Sequence, residues 1–179
     1  MRAPTIETER LLLRPHRMGD FDAAFAMWSD PRVTQFIGGK PSTEQQTWSR
    51  IINYAGHWML LGYGYWAIEE KASGTFAGEL GFANFHRDIA ESMRGVPELG
   101  WALAPQFHGR GYATEAVRAA VAWGDGAFNR GRTVCMIDPG NAASIRVAEK
   151  AGFRTFERGT FNGGASLFFE RRPGVTPVP

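Results

Sequence analysis

Residues 98–128, ELGWALAPQFHGRGYATEAVRAAVAWGDGAF, decide how the rest of the chain is read. The stretch has three parts. Leu99, Trp101 and Leu103 alternate along residues 98–103, the two-residue period of a strand. Residues 104–111 contain Pro105, Gly109 and Gly111 and predict a turn. From about Tyr112 the apolar positions Ala116, Val117, Ala120, Val121 and Phe128 take up helical spacing. A strand, a glycine-containing turn and a helix in this order make an anion cradle. The first N–H groups of the helix have no intrahelical partner, the helix dipole adds partial positive charge, and the glycines let a phosphate approach the backbone. The stretch therefore predicts a phosphate-bearing ligand at residues 106–114.

The whole chain sets the frame for that ligand. Its 179 residues suffice for one well-buried domain. With 44% apolar and 21% charged residues it reads as an ordinary soluble globular protein. The formal net charge of +2 is spread along the chain, with no basic block or basic helix face, so nucleic acid is not an expected partner. One cysteine, Cys135, lies inside the apolar run 133–137. It cannot form a disulfide within the chain, no metal-ligand spacing surrounds it, and it reads as a small buried hydrophobe. The N-terminus lacks the apolar core of a signal peptide. Residues 51–68 are uncharged, but Gly56, Gly62, Gly64, Asn53 and His57 interrupt them, which favours soluble core over a membrane span. A cytoplasmic protein with no membrane association is expected.

Along the chain, residues 11–14 predict a first strand and Asp20 an N-cap. Phe21, Ala24, Phe25 and Trp28 then give helical spacing over 20–29. Asp30-Pro31 stops that helix and begins a short one reaching residue 37, and residues 38–41 form a loop. Ser42 or Thr43 opens a helix whose apolar face carries Trp48, Ile51, Ile52, Ala55, Trp58 and Met59, and Gly62 ends it. Residues 65–70 and 76–85 predict a hairpin, and 86–96 a loop. Beyond the central stretch come a strand at 133–137, a helix at 141–151 and strands at 153–161 and 166–171. The expected fold is α/β (α+β): one mixed, mostly antiparallel sheet of about seven strands with helices on both faces. Residues 1–172 are expected to form a single domain and 173–179 a loose tail.

Three phosphate loops compete for residues 106–114. A nucleotide P-loop needs lysine and then Ser or Thr after its glycines, and no lysine follows Gly109 or Gly111. The dinucleotide fingerprint G-x-G-x-x-G meets Thr114 at its last position. Its strand would also have to open a βαβ unit rather than follow about a hundred residues. The third pattern, Q-x-x-G-x-G then Ala, is met by Gln106, Gly109, Gly111 and Ala113. It resembles the pyrophosphate loop of the GNAT superfamily of acyl-CoA-dependent N-acetyltransferases. A second segment, from Asn141 through Ser144, Ile145, Ala148 and Lys150 to Gly152 and Phe153, resembles the superfamily's later N-x-x-[AS]…K-x-G-F segment. The same residues also suit a helix with an Asn N-cap and a Gly stop. TERLLLRP at 8–15, Asp30-Pro31 and ELGWALAP at 98–105 are similar to the RimJ/RimL-type branch, named for ribosomal-protein N-terminal acetyltransferases.

The resemblance implies acetyl-CoA as co-substrate and an amine as acceptor, either a protein N-terminus or a small molecule. It implies no metal and leaves a homodimer open. The pantetheine arm would lie along Trp101, Ala102 and Leu103, with Asn141 facing it. The loop candidates for the pyrophosphate are Gln106, His108, Gly109 and Arg110, followed by Gly111, Tyr112, Ala113 and Thr114. Arg110 is either a charge beside the phosphates or a solvated surface arginine. An amine near pKa 10 must lose a proton before it attacks. Glu98 is the candidate base, directly or through a water, against the reading of a plain exposed glutamate at a strand start. Many superfamily members place a tyrosine as acid where this chain has Ala148; Ser144 can hydrogen-bond the departing sulfur instead, or no acid is used. The acceptor site would lie between residues 35–41 and 161–165, with Phe36, Trp66 and Phe161 as candidate walls. No Ser-His-Asp or Cys-His set is readable, so direct transfer is expected. The rival readings are a non-catalytic acyl-CoA-binding domain and, more remotely, a dinucleotide-binding oxidoreductase.

Overall fold

A computed structural model describes residues 3–174. The expected loose tail therefore falls, for residues 175–179, outside the described residues. The elements are β1 (Ile6–Glu7), β2 (Leu11–Arg14), α1 (Phe21–Trp28), α2 (Pro31–Thr34), α3 (Glu44–Leu61), β3 (Tyr65–Glu70) and β4 (Thr75–Ala83). They continue with β5 (Glu98–Leu103), α4 (Tyr112–Ala127), β6 (Thr133–Ile137), α5 (Ala142–Lys150), β7 (Arg154–Phe161) and β8 (Gly164–Arg171).

The eight strands form one sheet in the order β1-β2-β3-β4-β5-β6-β8-β7, with one strand more than expected. The addition is β1, whose two residues are too few to show a period; Ile6 and Glu7 pair with Leu13 and Leu12. Every neighbouring pair is antiparallel except β5 and β6, which are parallel. The two sheet faces separate the helices. Glu79 on β4 meets α1 and α3 through Trp28 and Tyr54, whereas Phe82 points the other way onto Trp123 and Gly124 of α4.

Capping chemistry sets the main helix boundaries. Thr43 and Gln46 satisfy each other's backbone N–H groups at the start of α3, and Gly62, at φ 75°, stops it. Asp20 departs from its expected role as a cap. Its carboxylate instead accepts two bonds from the buried Arg14 guanidinium and one from the Arg17 N–H, tying the end of β2 to the start of α1. Trp66, expected as an acceptor wall, is fully buried. It packs between Trp58 and Trp123, with centroids 4.8 and 5.0 Å away, and donates its indole N–H to Pro4 O. Its even position on β3 turns it to the α4 face, away from the side that carries Tyr65 and Ala67. Cys135 is buried in the core, and burial pushes its thiol well above the ordinary range. Among the described residues no helix is long and apolar enough to cross a membrane.

Candidate active site

The site begins with a defect in the sheet. β5 pairs with β4 along all six of its residues, from Glu98↔Ala83 to Leu103↔Gly78, but touches β6 at a single bridge, Glu98↔Val134. The strands splay apart beyond it. Strand alternation decides which backbone groups face the opening. The Ala104 N–H bonds to Ala77 O on the β4 side, and Pro97 O accepts from Val134 N on the β6 side. Odd-numbered residues therefore turn their peptide groups to the gap, including Trp101 and Leu103. A ring nitrogen of His108 bonds to Leu103 O at 2.8 Å, which leaves the Leu103 N–H and both Trp101 groups for a ligand.

At the far end of β5 the chain turns through Pro105–Phe107, where Gln106 is exposed, and enters α4. Gly109 and Gly111 stand at φ 72° and 78°, in the left-handed region, and Gly111 is the N-cap. The His108 N–H donates to Pro105 O, so this candidate residue offers no free backbone donor to the cradle. Among the described residues, the backbone N–H groups of Gly109, Arg110, Gly111, Tyr112, Ala113 and Thr114 donate to no protein acceptor. Six free donors at the start of a sixteen-residue helix fit a pyrophosphate.

The N-terminal Thr8-Glu9-Arg10 segment straps this loop. Thr8 Oγ1 and the Arg10 N–H both donate to Glu115 Oε1, at 2.6 and 2.8 Å. Arg10 Nε donates to Glu115 Oε2 at 2.7 Å, and Arg10 Nη1 to Arg110 O at 2.9 Å. Arg110 itself pairs with Glu70 at 2.8 Å and lies over the Tyr112 ring, whose hydroxyl donates to the same Glu70 oxygen. The carboxylate holds Arg110 to the body of the protein, so this residue is neither a free surface charge nor turned wholly to a ligand.

Burial alone would raise the Glu115 carboxyl, but the Thr8 hydroxyl and the Arg10 N–H and guanidinium outweigh it and hold it below the ordinary value. Asp20 is likewise lowered, by Arg14 and the Arg17 N–H against its burial. A carboxyl depressed in the fold contributes stability that is complete above its unfolded pKa, near 4, and is lost as the pH falls through the folded value. The melting temperature should therefore hold above about pH 5 and drop below about pH 4. Circular-dichroism melts of Glu115→Gln should show a lower plateau and a shallower acid drop; identical pH curves would remove Glu115 from this coupling.

Beside the gap, a cavity of about 700 Å³ brings together Glu98, Trp101, Ala102, Asn141 and Ser144. The loop at 106–114 lies outside it. Asn141 caps α5, accepting from the Ser144 N–H at 3.1 Å and leaving its amide NH2 for the cavity. Both Glu98 oxygens are engaged by Arg87 Nη2, and the Arg87 guanidinium lies between the rings of Phe85 and Phe161, 4.7 and 4.8 Å from their centroids. Phe36, Phe161, Gly38, Gly39 and Gly164, from the two segments named as candidate acceptor walls, line the cavity. Ala148 is fully buried in the core.

Several lining residues escape a reading of the sequence. Trp28 Nε1 and the Tyr54 hydroxyl both donate to Glu79 Oε1, at 2.9 and 2.6 Å, and Tyr54 stacks on Tyr65 at 4.2 Å. The Tyr65 hydroxyl presses on β5, and a Cβ at Gly100 would come within 2.1 Å of it. Burial pushes both phenols above their ordinary range, so they remain protonated. Arg50, Arg87 and Asp138 also reach the cavity. Arg50 did leave a signal: it is a charge on the buried stripe of α3, beside Thr47, Ile51 and Tyr54. Arg87 sits in a loop without periodicity and left none. Among the described residues no group of three His, Cys, Asp or Glu side chains gathers as metal ligands.

The sequence matches the family described as acetyltransferase (GNAT) domain over residues 10–154. It is 34% identical over 150 residues to the uncharacterized protein YkkB of Bacillus subtilis (strain 168), covering 81% of this chain and 82% of that one. An acetyltransferase from Agrobacterium tumefaciens str. C58 shares the structure at a TM-score of 0.82 and 30% identity, over 96% of each chain. The RimL ribosomal L7/L12 α-N-protein acetyltransferase, solved with coenzyme A, has the same fold at a TM-score of 0.75 and 18% identity, over 94% of this chain and 98% of that one.

Proposed function

The chain belongs to the GNAT acetyltransferase family and is an acyltransferase, and on that premise we propose that it moves the acetyl group of acetyl-CoA directly to a primary amine. The observation that carries this reading is the splayed β5/β6 gap, which runs from a cradle of free N–H groups at 109–114 to a cavity holding Glu98. The solution of RimL with coenzyme A supports the choice of co-substrate, and the motifs at 8–15 and 98–105 support a RimJ/RimL-like branch. Residues 1–172 act as one domain in this scheme.

Each residue then has a role. The N–H groups of 109–114 hold the pyrophosphate, and the Trp101 peptide hydrogen-bonds the pantetheine arm, as does the Asn141 amide. Glu98 takes the proton from the ammonium, directly or through a water, so that a neutral amine attacks the thioester carbon. The Leu103 N–H donates to the oxygen that gains negative charge. The C–N bond forms and the C–S bond breaks; the second proton lost by the nitrogen passes to the departing sulfur, which leaves as the thiol, with the Ser144 hydroxyl placed to hydrogen-bond it.

The test is thiol release from acetyl-CoA, followed with a chromogenic thiol reagent across peptides and small amines. Release that needs an acceptor is expected. A protein that binds no acetyl-CoA and releases no thiol with any acceptor would overturn the reading.

A further inference from the structure

The acceptor cavity contains one cation that the protein does not neutralise by contact. Arg50 occupies the buried stripe of α3, three residues after Thr47 and four before Tyr54, so its side chain runs under the helix rather than out to solvent. Its guanidinium stands over the Trp28 ring, with Cζ 3.8 Å from the centroid. Its Nε is buried and has no hydrogen-bond partner. Among the described residues no carboxylate comes within 4.0 Å of it.

Glu79, the acidic neighbour, is turned elsewhere. It spends Oε1 on Trp28 and Tyr54, and its Oε2 is sealed in the core without a partner. Burial opposes the charge on Arg50, while Tyr54 and Glu79 favour it, and the net direction is towards keeping it. The other arginine of the cavity, Arg87, is already paired with Glu98. Asp138 also lines the cavity, and its Oδ1 accepts from the Gly140 N–H without any ion pair to a side chain.

We propose that the acceptor is a small amine that also carries an oxyanion, a carboxylate or a phosphate, and that Arg50 binds this group. The inference rests on the acetyl-transfer reading for the amine end of the molecule. A guanidinium held over an aromatic ring offers a planar fork of N–H groups, which suits two parallel bonds to such a group. The Glu98 and Asp138 carboxylates in the same cavity favour the ammonium end. The cavity thus complements an amino acid or amino phosphate better than a polycation or a neutral amide, and its volume suits a small molecule.

The experiment compares acceptors that differ in the anion alone: free amino acids, their amides, the matching decarboxylated amines, and an amino phosphate. Wild type, Arg50→Gln and Arg50→Lys are used, with melting temperature and acetyl-CoA affinity checked in each. Acceptors with the anion should exceed their neutral partners in kcat/KM by about 10- to 100-fold, the worth of a charge-assisted pair. That ratio should collapse in Arg50→Gln and survive in part in Arg50→Lys. The carboxylate and phosphate arms show which oxyanion is taken. Calorimetric binding of the same acceptors is measured alongside. Arg50-dependent binding of the anionic forms upholds the inference even where no acetyl is transferred, a failure that would count against the proposed function alone. Equal use or binding of neutral and anionic partners, a ratio unchanged in Arg50→Gln, or a panel in which no anionic amine binds overturns it.

Discussion

Glu98→Gln is expected to lower kcat by about 10²- to 10⁴-fold, the range a positioned general base contributes, while leaving acetyl-CoA affinity unchanged. The substitution keeps the size of the side chain and removes its charge and its ability to take a proton. It is the right position to test because Glu98 stands at the single β5–β6 bridge, where the gap closes, and lines the cavity proposed to take the acceptor. The pyrophosphate cradle is at the other end of β5, so a loss confined to turnover separates the two ends. Arg87 sharpens the experiment. Both Glu98 oxygens are held by Arg87, and the guanidinium is pinned between Phe85 and Phe161. The Arg87 nitrogen occupies only part of the carboxylate's lone-pair capacity, so each Glu98 oxygen can still accept from an incoming ammonium. Full activity would remove Glu98 as base and leave it as the partner of Arg87.

Gly109→Asp is expected to weaken coenzyme A binding by on the order of 100-fold, the effect of losing one or two charge-assisted hydrogen bonds and adding a like charge. The position is chosen for what surrounds it. A Cβ there meets nothing within 4 Å, so no clash confuses the result, whereas a Cβ at Gly111 comes into contact with Arg10 Nη2 of the Arg10–Glu115 strap, 3.4 Å away. Gly109 stands at φ 72°, a conformation that aspartate tolerates at a cost of about 1 kcal/mol. The new carboxylate competes for the free N–H groups that would otherwise meet the pyrophosphate. Gly109→Ala is the control: it carries the backbone cost without the charge and should lose only a few-fold in affinity. Acetyl-pantetheine, which has no phosphates, should be used equally well by wild type and Gly109→Asp. Unchanged coenzyme A affinity in a folded Gly109→Asp protein would place the phosphates elsewhere.

Local chemistry explains how far the sequence could be read. The alternation of Leu99, Trp101 and Leu103, the glycines at 109 and 111 and the apolar spacing of α4 are each properties of a few neighbouring residues, and the structure has them as a strand, a turn and a helix. The capping of α3 by Thr43 and of α5 by Asn141 is equally local. Three expectations needed revision because the residue found another partner: within the same few residues of chain for His108 and Asp20, across the fold for Trp66. Asp20 was drawn from capping by Arg14, Trp66 from the cavity by Trp58 and Trp123, and the His108 N–H from the cradle by Pro105 O. The Thr8-Glu9-Arg10 motif was visible as a pattern, but its purpose was not, since Glu115 lies over a hundred residues away along the chain.

The order of the main elements, the glycine turn before α4 and the family could be read from the chain itself, because capping, periodicity and glycine placement act over a few residues and survive without knowledge of the fold. The tertiary structure alone decided the opening of β5 from β6, the clamp of Arg87 on Glu98 and the guanidinium of Arg50 held over Trp28. Each of these joins side chains or strands that the chain brings together only on folding. The glycine turn was therefore legible from residues 98–128 alone, whereas the cavity, assembled from α1, α3, β5, β6 and the hairpin of β7 and β8, was not.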